Sequence, residues 1–523
     1  MSASTEKKNR VAARAAGTDR KTMAAAEAAR KKKESNRNWA IGIAATVLVI
    51  ALIILFNSNF LYTSTTAVKI GGENYSPAQV SYYYGNQYMT FLNSYGNYAS
   101  LFGLDTSKGL AGLDSQECTM MEEGSTWKDY FLESAYSEMK QYAALNKYAA
   151  DNGIELTAEE IAGVDSGLEQ LKNSVSAYGF TSLDNYFSYN FGKGVTEKVA
   201  REEMIRSTLA AKAYNAYADS LEYSDSELKD YYAGLDGEAD VFDYAYYAVF
   251  AEKVAATDAE GNETQEVNDE TVAAAKEKAD AILAAYQADT ENVDAVAKLD
   301  AAIASAGEEG TATHSSAVAG SSLSSTYKDW MKAARTEGDA TVAVNADSST
   351  FYVVVFLGRD DNDYSTVNVR HILVKAEADE NGEYTDEAKQ AALAKAEMLY
   401  DQWKSGDATE DSFAELANLN SEDTGSNTNG GLYEDVHKNE MVTEFNDFCF
   451  ADGRKVGDSG IVYGESDSYA GYHVMYISGF GENYRDIVAR DGLNSEALNA
   501  WMEELLAGFD AETCRAVRHV GKI

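Results

Sequence analysis

The hydrophobic pattern of this chain changes period several times along its 523 residues. Residues 40–56 form an uncharged, mostly apolar run of seventeen residues, entered through Trp39. At ~1.5 Å per helical residue such a run nearly crosses a ~30 Å hydrocarbon core, and Phe60, Leu61 and Tyr62 extend it into the interface. Residues 67–77 predict a short strand and turn, after which the pattern is helical. A capping box at Thr157 and Glu160 opens a face of Ile161, Val164, Leu168, Leu171 and Val175, at spacings of three and four. Ile205, Leu209, Ala213 and Ala216 mark another helix, and Ser224 with Glu227 caps the next. Residues 58–235 therefore read as a helical domain, in which no catalytic constellation is found.

Beyond residue 363 the period switches between two and 3.6. In Val-Asn-Val-Arg-His371-Ile-Leu-Val, His371 is in phase with Val369 and Leu373, and in Gly-Tyr-His473-Val-Met-Tyr-Ile, His473 is in phase with Met475 and Ile477. Each reads as an imidazole carried inward on a strand. A single inward histidine is ordinarily a satisfied core residue, whereas two such strands around a helical stretch and the Gly430-Gly431 turn point to a site. Between them Leu393, Ala396, Leu399 and Trp403 recur at helical spacing after a cap at Thr385, and residues 412–417 read as a second short helix. The order is strand, helix, helix, loop, helix, strand. His371, His473, Asp423 and His437 include zinc-ligand types, but no pair has ligand spacing and Cys449 is the only cysteine near them in sequence, so no metal is expected.

Residues 242–358 repeat this plan with other side chains. Residues 242–250 stand for the first strand, 273–286 for the helix, 326–330 for the later short helix and 351–358 for the last strand. In that alignment Tyr247 replaces the first histidine and Tyr352 the second, which predicts a tandem pair with a silent first copy. Residues 256–269 read as a polar, acidic mobile loop, and the Gly- and Ser-rich residues 306–325 as another. Residues 486–506 read as an amphipathic C-terminal helix through Ile487, Leu498, Trp501 and Leu505.

Residues 365–482 resemble the parvulin-type peptidyl-prolyl isomerases, in five segments taken in the right order. The resemblance implies that His371 and His473 are the family's paired histidines and that Asp423 stands where the family has Asp or Cys, the three forming the catalytic set. It implies that Met441, Phe445 and Phe450 form the apolar wall that holds the substrate proline ring. The chain departs from the family by residues 465–470, read as a loop inserted before His473, and by extra residues around Arg454. The implied chemistry needs no covalent intermediate and no cofactor, because an X-Pro bond isomerises through a twisted amide over a barrier of ~18–20 kcal/mol. The helices followed by a parvulin unit are also similar to the extracytoplasmic foldases of the PrsA and SurA type, whose C-terminal helix returns to the N-terminal domain. The tyrosines at 82–84 are candidates to line a client groove, with core packing as the alternative.

Charge refines the picture. Residues 1–38 carry eleven Lys/Arg against four Asp/Glu, which with the apolar run predicts an uncleaved anchor and a cytoplasmic N-terminus. The whole chain has 44 basic and 85 acidic residues, a net charge of −41, so nucleic acid is not an expected partner. Three cysteines, Cys118, Cys449 and Cys514, are too few and scattered for a disulfide framework, and Pro77 is the single proline, so isomerisation would concern other proteins. The expectation is a multidomain α+β chain: basic cytoplasmic segment 1–38, transmembrane helix 39–57, helical chaperone-like domain 58–235, degenerate parvulin-like domain 236–362, parvulin domain 363–482, and C-terminal helix and tail 483–523. Its expected role is that of a single-pass membrane foldase, with the bulk of the chain extracytoplasmic, acting on X-Pro bonds of unfolded or newly secreted proteins. The alternatives are a holdase or an envelope scaffold whose parvulin copies are silent.

Overall fold

The computed structural model describes residues 3–16, 20–257, 263–380, 382–466 and 469–523, and the chain divides into two compact units, Met1–Leu221 with Leu498–Ile523, and Glu222–Ala497.

In the first unit the apolar run lies within one long helix, Arg20–Asn57. Among the described residues, however, no helix is long and apolar enough to cross a membrane. The expected transmembrane helix, the membrane partner and the single-pass location are corrected on that finding. The physical reason is length: seventeen residues span only ~26 Å, short of a ~30 Å hydrocarbon core, and the first half of the helix is rich in Lys and Arg.

The rest of the unit is helical, as its spacing predicts. Ser76, Thr126 and Thr157 cap the helices Pro77–Tyr95, Trp127–Asp151 and Ala158–Val175, each in a reciprocal capping box that satisfies otherwise orphaned backbone N–H groups. Tyr82, Tyr83 and Tyr84 are buried with Trp127, Phe131 and Phe187, so they are core and not a client groove. Strand Val68–Ile70 pairs with Glu73–Tyr75 on one side and with Ala511–Thr513 on the other, so the chain's C-terminal residues complete this unit's small sheet. Trp501 stacks on Tyr217 at 4.0 Å between ring centroids, which ties the end of helix Tyr484–Leu506 to helix Glu197–Ala218.

The second unit holds two four-stranded antiparallel sheets with the same strand order, second-first-fourth-third in each. One is built from Val241–Phe250, Thr313–Ala319, Ala340–Val344 and Thr350–Asp360, the other from Ser365–Lys375, Leu432–Val436, Ser459–Ser466 and Tyr469–Asn483. Each sheet buries one face under a helix pair, Asp269–Ala288 with Ala295–Ser305 in the first and Asp386–Ser405 with Glu410–Asn420 in the second. The opposite face is covered by one short helix, Lys328–Lys332 or Thr443–Phe450.

The edge strands lie where the sequence pattern reads as loop. Thr313–Ala319 falls inside the Gly/Ser-rich stretch and is held by the ladder Ala245↔His314 and Tyr246↔Thr313. The acidic stretch forms a hairpin of Val254–Thr257 with Glu263–Glu266, whose turn lies outside the described residues. Residues before His473 likewise form a hairpin between Ser459–Ser466 and Tyr469–Asn483, apart from residues 467 and 468, which lie outside the described residues. Polar edge strands draw their stability from pairing with a partner strand, so no apolar period marks them in isolation.

The repeat alignment slips by one residue. Tyr246 pairs with Val354 and Ala248 with Tyr352, just as His371 pairs with Met475 and Leu373 with His473. The counterpart of His371 is therefore Tyr246, while Tyr352 stands opposite His473 as aligned. Tyr247, in phase with Ala245 and Val249, packs on the helix-pair side and donates to the Glu309 carbonyl. A one-residue shift in strand register sends a side chain to the other face of the sheet.

Candidate active site

The site begins with the two central strands of the second sheet. His371 and His473 are diagonal neighbours across the strand pair, on the face that also carries Val369, Met475 and Ile477. Diagonal pairs are within reach of ring side chains. The two rings stack with centroids 5.2 Å apart, and their Nδ1 atoms meet at 3.0 Å. Both are almost wholly buried, at 3% and 4% exposure. Phe445, from the helix above, sets its ring edge-to-face against each of them at 5.4 Å.

Asp423 arrives on the turn after helix Glu410–Asn420. Ser421 fixes that turn to the strand by accepting from the Leu373 N–H, and Glu422 donates its N–H to the Leu373 carbonyl. Asp423 Oδ2 then lies 2.9 Å from His371 Nε2 and accepts from Ser426 Oγ at 2.5 Å and from the Tyr433 hydroxyl at 2.9 Å. Its other oxygen accepts from the Gly425 N–H. Gly431 closes the turn onto the strand, accepting from the His371 N–H at 2.8 Å. Its φ is +69°, and a Cβ there would sit 2.2 Å from the His371 carbonyl oxygen, so only glycine fits. Arg370 binds the Asn429 and Gly430 carbonyls and pairs with Glu410 at 2.9 Å, holding the same turn.

This network sets the protonation of its members. The hydrogen bond from His371 holds the Asp423 carboxyl well below the usual carboxylate range, aided by Ser426, Gly425 and Tyr433 and opposed by burial. Burial pushes the His473 imidazole down to about 3, with His371 adding to the effect and Asp423 opposing it. Burial, and then the bond to Asp423, push the Tyr433 phenol up to about 12. Burial also pushes the Cys449 thiol up to about 12, which removes it as a nucleophile.

Of the six residues singled out in the sequence, the fold brings His371, His473, Asp423 and Phe445 into one cluster. Met441 and Phe450 belong to the same apolar layer and are half-buried, but the Phe450 ring packs on Tyr364 at 5.5 Å and not on the histidines. His437, the other histidine of this region, stacks on Tyr484 at 4.4 Å, and among the described residues no group of three His, Cys, Asp or Glu side chains is placed to hold a metal ion.

Three site residues escaped the sequence reading: Ser426, Tyr433 and Tyr469. Tyr469 had a signal, since it is in strand phase with Gly471 and His473, and its hydroxyl lies 2.9 Å from His473 Nε2. Ser426 and Tyr433 come from the turn after Asp423 and the edge strand that follows it, where no period announces them.

Residues 351–479 match the PPIC-type PPIASE domain family. No curated protein matches the chain. Among solved structures, a peptidylprolyl isomerase (PrsA) from Bacillus anthracis is similar at 23% identity over 28% of this chain and 59% of its own, with a TM-score of 0.18. The foldase protein PrsA from Streptococcus pneumoniae is similar at 12% identity over 76% of this chain and 96% of its own, with a TM-score of 0.28. A peptidylprolyl isomerase (PrsA) from Bacillus cereus is similar at 14% identity over 76% and 93%, with a TM-score of 0.18. With the histidine pair inside the matched stretch, the chain carries a parvulin-type peptidyl-prolyl isomerase domain.

Proposed function

We propose that the chain is a foldase that binds unfolded or newly secreted proteins and isomerises their X-Pro bonds at His371, His473 and Asp423, beneath an apolar wall of Phe445 with Met441 and Phe450. The observation that carries this reading is the buried His473–His371–Asp423 chain of hydrogen bonds capped by the Phe445 ring. Isomerisation requires loss of C–N resonance, after which the carbonyl is less dipolar and the nitrogen more basic. An apolar wall holds the prolyl ring while offering little to the planar, dipolar ground state, which is differential stabilisation of the transition state. The carboxylate is fully engaged by four donors and the Cys449 thiol stays protonated, so neither supplies a nucleophile. The secreted class of client follows from the resemblance to extracytoplasmic foldases.

The domain reading belongs to the same proposal: a helical client-binding domain at 58–235, a silent copy at 236–362, the active copy at 363–482, and the tail at 483–523. Client contact in the helical unit falls to Tyr98, Leu101, Tyr178 and Tyr189, each at least 60% exposed, since the tyrosines at 82–84 are core. The test is refolding of a protein whose slow phase is X-Pro isomerisation, with the full chain present in catalytic amounts. Acceleration that is lost in a folded Phe445→Leu variant supports the foldase. Suppressed aggregation without acceleration would make it a holdase.

A further inference from the structure

The hydrogen-bond chain does not end at the histidines. Tyr469 stands four residues before His473 on the same strand and the same face, and its hydroxyl reaches His473 Nε2 at 2.9 Å. The opposite end of the chain is Asp423, 2.9 Å from His371 Nε2.

Each contact holds one proton, and the two ends constrain where it sits. Asp423 already accepts from Ser426, Tyr433 and the Gly425 N–H, so it is an acceptor only and His371 Nε2 carries its hydrogen. Between the two Nδ1 atoms, 3.0 Å apart, there is room for one hydrogen. If it belongs to His371, that ring is an imidazolium, and neutral His473 must carry its proton on Nε2 and donate it to Tyr469. If it belongs to His473, both rings are neutral, His473 Nε2 is bare, and the Tyr469 hydroxyl donates to it. The direction of the Tyr469 hydroxyl thus separates a charged floor from a neutral one. Burial of both rings, at 3% and 4% exposure, weighs against the charged arrangement, and the carboxylate that would support it, Asp423, is already shared among Ser426, Tyr433 and the Gly425 N–H.

We infer that Tyr469 is a positioning residue that holds the pair in the neutral order, with every donor directed from Tyr469 through His473 and His371 to Asp423. The inference rests on the reading of this cluster as the isomerase site. Its consequence for the reaction is electrostatic. An imidazolium beneath the proline pocket would favour the planar amide, whose carbonyl is the more dipolar, and so would raise the barrier to twisting. A neutral floor leaves the ground state without that support. The charged and titratable groups facing His473 and Tyr469 are His371 on the adjacent strand, Asp423 on the turn and Glu444 on the covering helix.

The full chain with ¹⁵N-labelled histidine provides a test that does not depend on a variant or on activity. At neutral pH the account expects His473 to show a protonated Nδ1 and a bare Nε2, and His371 the reverse. A protonated His473 Nε2 would overturn it. In Tyr469→Phe the expected results are mixed His473 tautomers and a loss of about fivefold in kcat with KM within about twofold. Tyr433→Phe removes a donor to Asp423 but leaves the end of the chain intact, so its histidine tautomers should match the parent's. If Tyr469→Phe keeps the parent's tautomers, or changes them without changing kcat, the positioning role is wrong. If the parent shows the expected tautomers but accelerates no X-Pro peptide, the isomerase reading of the site fails and the proton order stands.

Discussion

The two sheets of the second unit share strand order, helix placement and register, yet one carries a histidine pair and the other tyrosines. Where His371 and His473 lie diagonally across the central strands, the first sheet has Tyr246 and Tyr352, with ring centroids 6.0 Å apart. Where Phe445 covers the histidines, Tyr327 packs on both tyrosines at 6.4 and 5.9 Å. The scaffold accepts either set because both supply flat rings of similar bulk to the same layer. What differs is the polar chain: among the described residues no carboxylate accepts a hydrogen bond from Tyr244, Tyr246, Tyr327 or Tyr352, and within the cluster Tyr327 donates to the Tyr244 hydroxyl at 3.4 Å. The fold is thus separable from the proposed chemistry, which rests on Asp423 and the histidine nitrogens linked to it by hydrogen bonds.

The sharpest way to break the comparison is to truncate the covering ring in each copy. Phe445→Ala and Tyr327→Ala each remove a buried ring and should each cost about 3–5 kcal/mol in the unfolding of their own copy, read from denaturant midpoints. Only Phe445→Ala, assayed under conditions where it remains folded, should lower isomerase activity. Equal loss of activity from both would mean that the first copy takes part in catalysis.

Acid should separate the copies next. Folded His473 stays neutral down to about 3, whereas in the unfolded chain it takes a proton near its ordinary value of 6.5. Between those values the unfolded state binds more protons, so stability falls as pH drops through the window. Asp423, depressed by its hydrogen bonds from an ordinary value of 3.8, adds a further loss at the acid end. The active copy should lose a few kcal/mol between about pH 6.5 and about pH 3, measured by thermal melts resolved for each copy. The tyrosine cluster has no matching histidine pair and should not share that loss; a first copy equally labile over the same range would contradict the assignment.

The smallest effect should come from the first copy's own hydroxyls. Tyr246→Phe with Tyr352→Phe keeps both rings and should leave isomerase activity within about twofold of the parent, because neither hydroxyl belongs to a relay. A larger drop would show that the silent copy contributes polar chemistry.

The legibility of the site in the sequence follows from where each residue sits. His371 and His473 were readable because they keep strand phase with strongly apolar neighbours, and Phe445 because the resemblance aligned its helix. Tyr469 is less legible because its segment, 465–470, carries the polar, Ser-containing pattern of a loop, although it opens the strand Tyr469–Asn483. Tyr246 and Tyr247 are adjacent tyrosines that composition does not tell apart, and only the ladder, Tyr246↔Val354 as His371↔Met475, shows which one stands on the histidine side of the sheet. The edge strands Thr313–Ala319 and Leu432–Val436 are polar, and their strand character comes from the neighbour they pair with. For the anchor, hydropathy marks the apolar run, but among the described residues no helix is long and apolar enough to cross a membrane.

The central claim is that the ordered histidine pair is where X-Pro isomerisation occurs. Cis–trans exchange on a panel of X-Pro tetrapeptides, measured with the full chain beside folded His371→Ala and His473→Ala variants, tests it most directly. The account predicts acceleration by the parent and a fall of at least about tenfold in each variant. Exchange no faster than the uncatalysed rate, or acceleration that survives loss of both histidines, would contradict it.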